Sequence, residues 1–141
     1  SFLIIILANC LVVIHDEAVQ LSAPEEVTGA RGGSLTVSCQ YDLEFKNNPK
    51  YWCKGSIYEL CGIVVRTPKK KRNNRAFIVD DNRAGVFNVT MSLLGKWDED
   101  TYWCVISRSG RNVFKRVALR VSDAGMFLQM NRCITRGQTT V

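Results

Sequence analysis

The chain has 141 residues, six cysteines and a formal net charge of +6 at pH 7. This length is enough for one domain of ordinary size with short ends, and it excludes an assembly of several large domains. Six cysteines in so short a chain indicate an oxidising compartment, and the positive charge favours anionic partners over basic ones.

The first predicted element is an apolar segment from residue 2 to residue 14. A segment of this length does not span a bilayer, which needs about 20 residues. It is typical of the apolar region of a secretory signal, with Ala18 as the last residue before cleavage, although a buried core strand is the alternative. Because the chain begins at Ser1 without a methionine or a basic start, we expect residues 1–18 to be a signal peptide that is incomplete at its N-terminus.

Residues 19–123 alternate short apolar stretches with turn residues, which is the pattern of an all-β sandwich. The predicted strands lie around residues 35–39, 51–53, 63–65, 77–79, 86–93, 102–104 and 117–121. Side chains alternate along a strand, so Leu35, Val37 and Cys39 share one face. No repeat and no long helix is predicted, and residues 124–141 are expected to be a tail or the start of a stalk.

A group of core residues identifies the sandwich. Cys39 and Cys104 lie 65 residues apart, Trp52 lies between them, and Tyr102 precedes Cys104 by two positions. In the immunoglobulin sandwich two cysteines bridge the sheets, a tryptophan packs on the bridge and a tyrosine forms a corner. The chain is therefore predicted to be an immunoglobulin V-set β-sandwich of two antiparallel sheets, with Cys39 paired to Cys104.

Two charged residues add to this constellation. Arg75 precedes the strand at residues 77–79, and Asp98 lies six positions before Cys104. In variable-type domains an arginine and an aspartate at these places typically pair and close the bottom of the sandwich. We expect the Arg75–Asp98 pair to be partly buried, which makes it worth more than an exposed ion pair.

A second cysteine pair involves Cys53, which directly follows Trp52. Alternation points Cys53 away from the core when Trp52 faces inward, and Cys61, across a short connection, is the obvious partner. A zinc site needs four ligands and a catalytic thiol needs a histidine base, yet the single histidine, His15, lies in the predicted signal peptide. A structural disulfide is therefore favoured over a zinc site and over a reactive thiol. Loss of Cys10 with the signal leaves Cys133 as the odd cysteine.

The segments KYWCKG, ELC, RAFIVDD, VFNVTMSLL and DEDTYWC resemble the CMRF-like leukocyte receptors, a family of receptors with one immunoglobulin domain. They are also similar to the first domain of the polymeric immunoglobulin receptor, which shares the extra disulfide between neighbouring strands. The resemblance covers residues 27–121. Its matched positions are Lys50, Tyr51, Trp52, Cys53, Cys61, Arg75, Asp80, Tyr102, Trp103 and Cys104.

The resemblance implies an extracellular ligand-recognition domain of an immune cell-surface receptor. Such receptors typically continue into a stalk, a membrane helix and a signalling tail, so we expect attachment to the plasma membrane through a segment not present in this chain. An immunoglobulin-binding first domain of a transporter and a secreted decoy are the alternatives. Some relatives bind phospholipid with a metal held near the loop at residues 107–112, but here that loop carries no carboxylate, so no metal or other cofactor is expected.

Positive charge is grouped into two stretches that contain no acidic residue, one between Glu59 and Asp80 and the other between Asp100 and Asp123. The candidate ligand-binding residues in them are Lys69, Lys70, Lys71, Arg72, Arg108 and Arg111. With the loop at residues 42–50, they are predicted to bind an anionic lipid, an acidic glycan or an acidic protein surface. Solvated surface turns are the alternative. The predicted signal and disulfides disfavour a nucleic-acid partner.

Catalysis is not predicted, because the sequence has no nucleophile motif, no phosphate-binding glycine loop and no metal cluster. The triplet Asn88-Val89-Thr90 satisfies the rule for an N-linked glycan acceptor. Alternation places Asn88 opposite the core-facing Phe87 and Val89, so a glycan is predicted on Asn88.

Overall fold

A computed structural model describes residues 2–8, 10–15, 19–68 and 73–123, with the backbone alone for most of the first fifteen. The predicted cleavage site at Ala18, the basic residues Lys69, Lys70, Lys71 and Arg72, and Cys133 with the rest of 124–141 lie outside the described residues.

Residues 19–68 and 73–123 form a sandwich of two sheets, which confirms the predicted all-β V-set fold. Its strands are β3 (Leu21–Ser22), β4 (Glu26–Ala30), β5 (Leu35–Tyr41), β6 (Lys50–Lys54), β7 (Gly62–Arg66), β8 (Ala76–Asp81), β9 (Val86–Met91), β10 (Asp100–Ile106) and β11 (Val113–Ser122). One sheet has four strands in the order β3-β5-β9-β8, and the other has five in the order β4-β11-β10-β6-β7. The strand pairs are antiparallel except for β4 and β11, which run parallel.

The N-terminal residues form a separate hairpin. Strands β1 (Phe2–Leu7) and β2 (Cys10–His15) pair antiparallel from Phe2 opposite His15 to Leu7 opposite Cys10. This two-stranded sheet shares no strand pairing with either sheet of the sandwich. The assignment of residues 1–18 as a signal peptide stays a prediction. Among the described residues, no helix has the length and apolar character required to cross a bilayer.

The core lies between the two sheets and follows the predicted alternation. In β5, Val37, Cys39 and Tyr41 are buried while the residues between them are exposed. The same period of two buries Phe87, Val89 and Met91 in β9, Tyr102 and Cys104 in β10, and Val117, Leu119 and Val121 in β11. Trp52 is fully buried and stacks on Tyr102 with ring centroids 4.9 Å apart.

The two ends of the sandwich are formed by different connections between the strands. We call the end formed by the loops at residues 42–49, 82–85 and 107–112 the upper end. There the Ser107 N–H donates to the Pro49 carbonyl at 2.9 Å, and the Tyr41 N–H donates to the Gly85 carbonyl at 2.8 Å. We call the opposite end, with the short 3-10 helix Lys96–Asp98, the lower end.

The connection between β6 and β7 folds back over the outer face of the five-stranded sheet. It contains the 3-10 helix Tyr58–Leu60, and Tyr58 stacks on Phe114 of β11 with ring centroids 3.9 Å apart. The reversal starts at Gly55, where φ is +145°, in the region that favours glycine. A Cβ at Gly55 would also lie 3.2 Å from the Cys61 Cα. Glycine therefore allows the connection to pass close to the second disulfide.

Candidate functional site

Both predicted disulfides are confirmed. Cys39 of β5 and Cys104 of β10 join the two sheets at a Cα–Cα distance of 6.4 Å. Cys53 of β6 joins Cys61, directly before β7, at 5.5 Å. Cys53 is fully buried although it lies outside the core cluster, because the folded-back connection covers it on the outer face.

The Cys53–Cys61 disulfide is expected to hold the folded-back connection on the sheet. Replacing both cysteines with alanine should lower the free energy of unfolding by about 2–3 kcal/mol, the loop-entropy value for so short a separation. Denaturant unfolding under non-reducing conditions measures this change. Ser56→Ala is the matched control, since Ser56 is exposed and lies in the same connection. Equal stability of the double alanine variant and the control would contradict the role given to the disulfide.

Arg75 and Asp98 lie together at the lower end. Arg75 Nη1 and Nη2 each donate to an Asp98 carboxylate oxygen at 3.1 Å, and the Gly95 N–H donates to the same carboxylate at 2.9 Å. The Asp98 side chain is only 4% exposed, whereas that of Arg75 is 39% exposed. Tyr102, the corner residue, donates its hydroxyl to the Asp98 carbonyl at 2.8 Å. Burial raises the pKa of Asp98, but hydrogen bonds from Arg75 and Gly95 outweigh it and hold that pKa below its usual range.

The upper end has a second ion pair that the sequence analysis did not predict. Lys50 Nζ lies 2.6 Å from Asp80 Oδ2, and the Lys50 side chain is 0% exposed. The Tyr41 hydroxyl donates to Asp80 Oδ1 at 2.5 Å, and Lys50 Nζ lies 4.2 Å from the centroid of the Tyr41 ring. Burial, followed by the hydrogen bond to Asp80, raises the pKa of Tyr41. This cluster ties β6 of one sheet to β5 and β8 of the other.

An aromatic cluster covers the outer face of the five-stranded sheet, and the sequence analysis did not predict it either. Trp103 meets Tyr58 and Phe114 edge-on, with ring centroids 5.7 Å away in both cases. Its indole N–H donates to the Gly55 carbonyl at 2.8 Å. The cluster therefore joins the folded-back connection to β10 and β11.

Asn112 connects this cluster to the upper loops. Its side-chain amide donates to the Tyr51 hydroxyl at 3.2 Å and to the Tyr58 hydroxyl at 3.1 Å. Its side-chain oxygen Oδ1 accepts the Arg108 backbone N–H at 3.2 Å. Burial, together with the contact to Tyr58, raises the pKa of Tyr51 to about 12, so the Tyr51 hydroxyl stays protonated at neutral pH.

A cleft of about 380 Å³ opens beside these residues, at the upper end of the outer face. It is lined by Pro49, Tyr51, Ile63, Arg66, Thr67, Pro68, Ser107 and Asn112. Arg66 is exposed, and among the described residues that line the cleft it is the one with a charge, while none of them carries a carboxylate. We call this the Arg66 cleft.

The predicted binding loops meet next to the Arg66 cleft. Asn48 donates its side-chain amide to the Ser107 carbonyl at 3.0 Å, and the Arg108 guanidinium lies 5.8 Å from the centroid of the Phe45 ring. Arg108 Nε donates to the Arg111 carbonyl at 2.5 Å. The loops 42–49 and 107–112 are thus in contact, and Pro68, which lines the cleft, directly precedes Lys69.

Two further observations concern the predicted metal binding and the predicted glycan. Within the described part of the chain, no three or more histidine, cysteine or acidic side chains are grouped so that they hold a metal ion. Asn88 lies in β9 on the outer face of the four-stranded sheet, away from the Arg66 cleft, and its side-chain oxygen accepts the Ser38 hydroxyl at 2.6 Å.

Comparison with known proteins gives consistent results. The model of the immunoglobulin V-set domain matches residues 22–122. CMRF35-like molecule 3 of Mus musculus is 39% identical over 104 residues, which cover 72% of this chain and 42% of that protein. CMRF35-like molecule 2 of Homo sapiens is 39% identical over 109 residues, which cover 75% of this chain and 49% of that protein.

A solved structure supports the same placement. The ectodomain of the teleost fish polymeric Ig receptor has a TM-score of 0.66 and 28% sequence identity, and the match covers 72% of this chain and 50% of that one. The chain spans about half the length, or less, of the relatives described here. The resemblance to CMRF-like receptors and to the polymeric immunoglobulin receptor is thereby confirmed. The chain belongs to the immunoglobulin V-set domain family and is similar within it to the CMRF35-like molecules.

Proposed function

We propose that the chain is the extracellular ligand-recognition domain of an immune cell-surface receptor and that it binds an anionic group in the Arg66 cleft. V-set domains are binding modules, so the chain is not an enzyme. The proposal concerns the ligand and the place where it binds. It retains the three predicted sources of the anion, which are a lipid headgroup, an acidic glycan and an acidic protein surface.

The observation that carries the proposal is the charge of the Arg66 cleft. Arg66 contributes a positive charge to a concave lining whose described residues include no carboxylate. Arg108 and Arg111 lie in the neighbouring loop, so the potential near the cleft favours an anion over a cation. The Ser107 hydroxyl adds a hydrogen-bonding group, while Tyr51 and Ile63 add apolar surface. A concave lining that combines apolar surface with polar groups able to orient a ligand is typical of ligand sites.

The rigidity of the cleft wall supports the proposal further. Tyr51 is held by hydrogen bonds to Tyr58 and Asn112, and Tyr58 belongs to the aromatic cluster. Such a preformed wall loses little conformational entropy when a ligand binds. The two disulfides are consistent with an extracellular location, on the outside of the plasma membrane or in a secreted form.

Immunoglobulin binding is the second candidate function. It is favoured by the likeness to the polymeric Ig receptor ectodomain, which covers 72% of this chain. Under this alternative the protein would be the first domain of a transporter. An immunoglobulin should then bind through the upper loops whether or not Arg66 is present.

Arg66→Ser is expected to weaken binding to vesicles that contain phosphatidylserine by about tenfold, the effect of losing one charge-assisted hydrogen bond. Surface plasmon resonance on vesicles with and without the anionic lipid measures this change. Arg120→Ser is the matched control, because it removes the same charge from β11 near the lower end, where Arg120 faces Glu26 at 3.5 Å. Equal weakening by both variants would indicate a general charge effect and would contradict a site at Arg66.

The basic residues Lys69, Lys70, Lys71 and Arg72 are expected to increase the association rate with an anionic ligand. Serine at all four positions should slow association, and added salt should have the same effect, because the Debye length falls from about 10 Å at 0.1 M to about 3 Å at 1 M. In parallel runs the vesicles are replaced by soluble acidic polysaccharide or by purified immunoglobulin. Comparison of the runs shows whether the ligand is a lipid, a glycan or a protein. Loss of binding on addition of a calcium chelator would contradict direct recognition of the anion.

A further inference from the structure

The outer face of the four-stranded sheet carries an apolar column beside a polar one. Phe77 and Val79 of β8 are 46% and 52% exposed, which is unusual for neighbouring large apolar side chains on one strand face. Strand β8 is the edge strand of this sheet. On the other side, β5 presents Thr36 and Ser38, which are exposed and hydrophilic.

Strand β9 lies between these two columns, and Asn88 lies at its centre. The register places Asn88 directly opposite Val79 on one side and Ser38 on the other. Thr90, the hydroxyl residue of the acceptor triplet, lies opposite Phe77. The acceptor triplet therefore borders the apolar column along its length.

The hydrogen bond to Ser38 orients the Asn88 amide. Its Oδ1 accepts the Ser38 hydroxyl at 2.6 Å, so this oxygen points toward β5. The oxygen and the nitrogen of a planar amide point in different directions from the same carbon, so Nδ2 is directed away from the Ser38 hydroxyl. Within the described residues Nδ2 has no hydrogen-bond partner. This nitrogen is the atom to which an N-linked sugar is attached.

We propose that Asn88 carries an N-linked glycan whose first sugar residue packs on Phe77 and Val79. Directly opposite side chains in an antiparallel pair have Cβ atoms about 5 Å apart, and diagonal ones lie about 7–8 Å apart. Val79 is the direct neighbour of Asn88 and Phe77 is the diagonal one, so both lie within reach of the first sugar ring. The C–H face of that ring is apolar and matches the exposed Phe77 ring. The glycan removes apolar surface from water at an edge strand, where exposed apolar residues favour aggregation.

The test compares four forms of the full chain, secreted from a glycosylating host: wild type, Asn88→Gln, Phe77→Ser and the double variant. Intact mass before and after glycosidase treatment establishes occupancy, and thermal unfolding measures stability. We expect loss of the glycan through Asn88→Gln to lower the Tm of wild type by about 4 °C, the size of effect of one stacking contact in a domain of this length. In the Phe77→Ser background the same change should have no effect on the Tm.

A second measurement separates the first sugar from the rest of the glycan. Trimming to a single N-acetylglucosamine should leave the Tm of wild type unchanged. Leu60→Ser is the matched control, because Leu60 is 78% exposed and lies on the other sheet's side of the sandwich, so the glycan should stabilise this variant as it does wild type.

Three outcomes would overturn the proposal. In the first, the mass of the secreted chain does not change on glycosidase treatment. In the second, the Asn88→Gln change lowers the Tm by the same amount in the wild-type background and in the Phe77→Ser background. In the third, unglycosylated wild type self-associates through the Phe77 face while the Tm values show no coupling, which assigns that face to a protein partner.

Discussion

Asp80→Ala is expected to lower the free energy of unfolding by about 3–5 kcal/mol, the range for removing one partner of a buried ion pair. The reason is the position of Lys50, whose side chain is 0% exposed and whose Nζ lies 2.6 Å from Asp80. Without the carboxylate, the ammonium group has to stay charged in the core or lose its proton, and both cost free energy. The Tyr41 hydroxyl loses its acceptor at the same time.

Urea unfolding measures this change, and two further variants identify its cause. Asp81→Ala alters the neighbouring exposed carboxylate and should change stability by less than about 1 kcal/mol. Lys50→Met combined with Asp80→Ala removes both charges and should recover much of the loss, because apolar replacements of buried pairs are often tolerated. Equal losses for Asp80→Ala and Asp81→Ala would contradict the buried pair.

The second large effect is expected at the lower end, where Asp98→Ala should cost about 2–3 kcal/mol. The change leaves the Gly95 N–H and the Arg75 guanidinium without the carboxylate that accepts their hydrogen bonds. The cost should be smaller than for Asp80→Ala, because Arg75 is 39% exposed and water hydrates the remaining charge. A melting temperature unchanged by Asp98→Ala would contradict this account.

The pH dependence of stability provides an independent check on Asp98. Its pKa in the folded state lies below the ordinary value of 3.8, so as pH falls the unfolded chain takes up a proton before the folded one does. The stabilisation from this carboxylate is therefore complete above about pH 4 and is lost as pH falls through the folded-state pKa. In urea unfolding at a series of pH values, the free energy of unfolding should fall less steeply with decreasing pH for Asp98→Asn than for wild type. A slope for Asp98→Asn equal to that of wild type would contradict the role given to this carboxylate.

Most of the sandwich is predictable from the sequence, because one physical rule governs it. Side chains alternate along each strand, so the parity of Cys39, Trp52 and Cys104 determines which neighbours face the core. The same alternation also predicts the ion pair of Lys50 and Asp80 at the upper end. Lys50 precedes Trp52 by two positions and Asp80 follows the buried Ile78 by two, so both face inward. A charged residue at an inward position requires a partner, so Lys50 and Asp80 are expected to pair.

The outer face was less predictable for a different reason. The contacts of Tyr58 with Phe114 and Asn112 join distant parts of the chain, and they form because the connection after β6 reverses over the sheet. No period in the sequence encodes such a reversal. The grouping of positive charge in the sequence predicted Arg108 and Arg111 as binding residues. It did not identify Arg66 as the charged residue among those that line the cleft.

The most direct test of the proposed function is to observe the Arg66 cleft while it fills. NMR titration of the full chain with a water-soluble, short-chain phosphatidylserine follows the Asn112 side-chain amide and the Trp103 indole N–H as reporters. Asn112 lines the cleft, whereas Trp103 is not among the described lining residues and belongs to the aromatic cluster. The account predicts a saturable shift of the Asn112 amide, a smaller shift of the Trp103 indole, and loss of both in Arg66→Ser. Saturable shifts confined to residues 42–49, or unchanged shifts in Arg66→Ser, would contradict it.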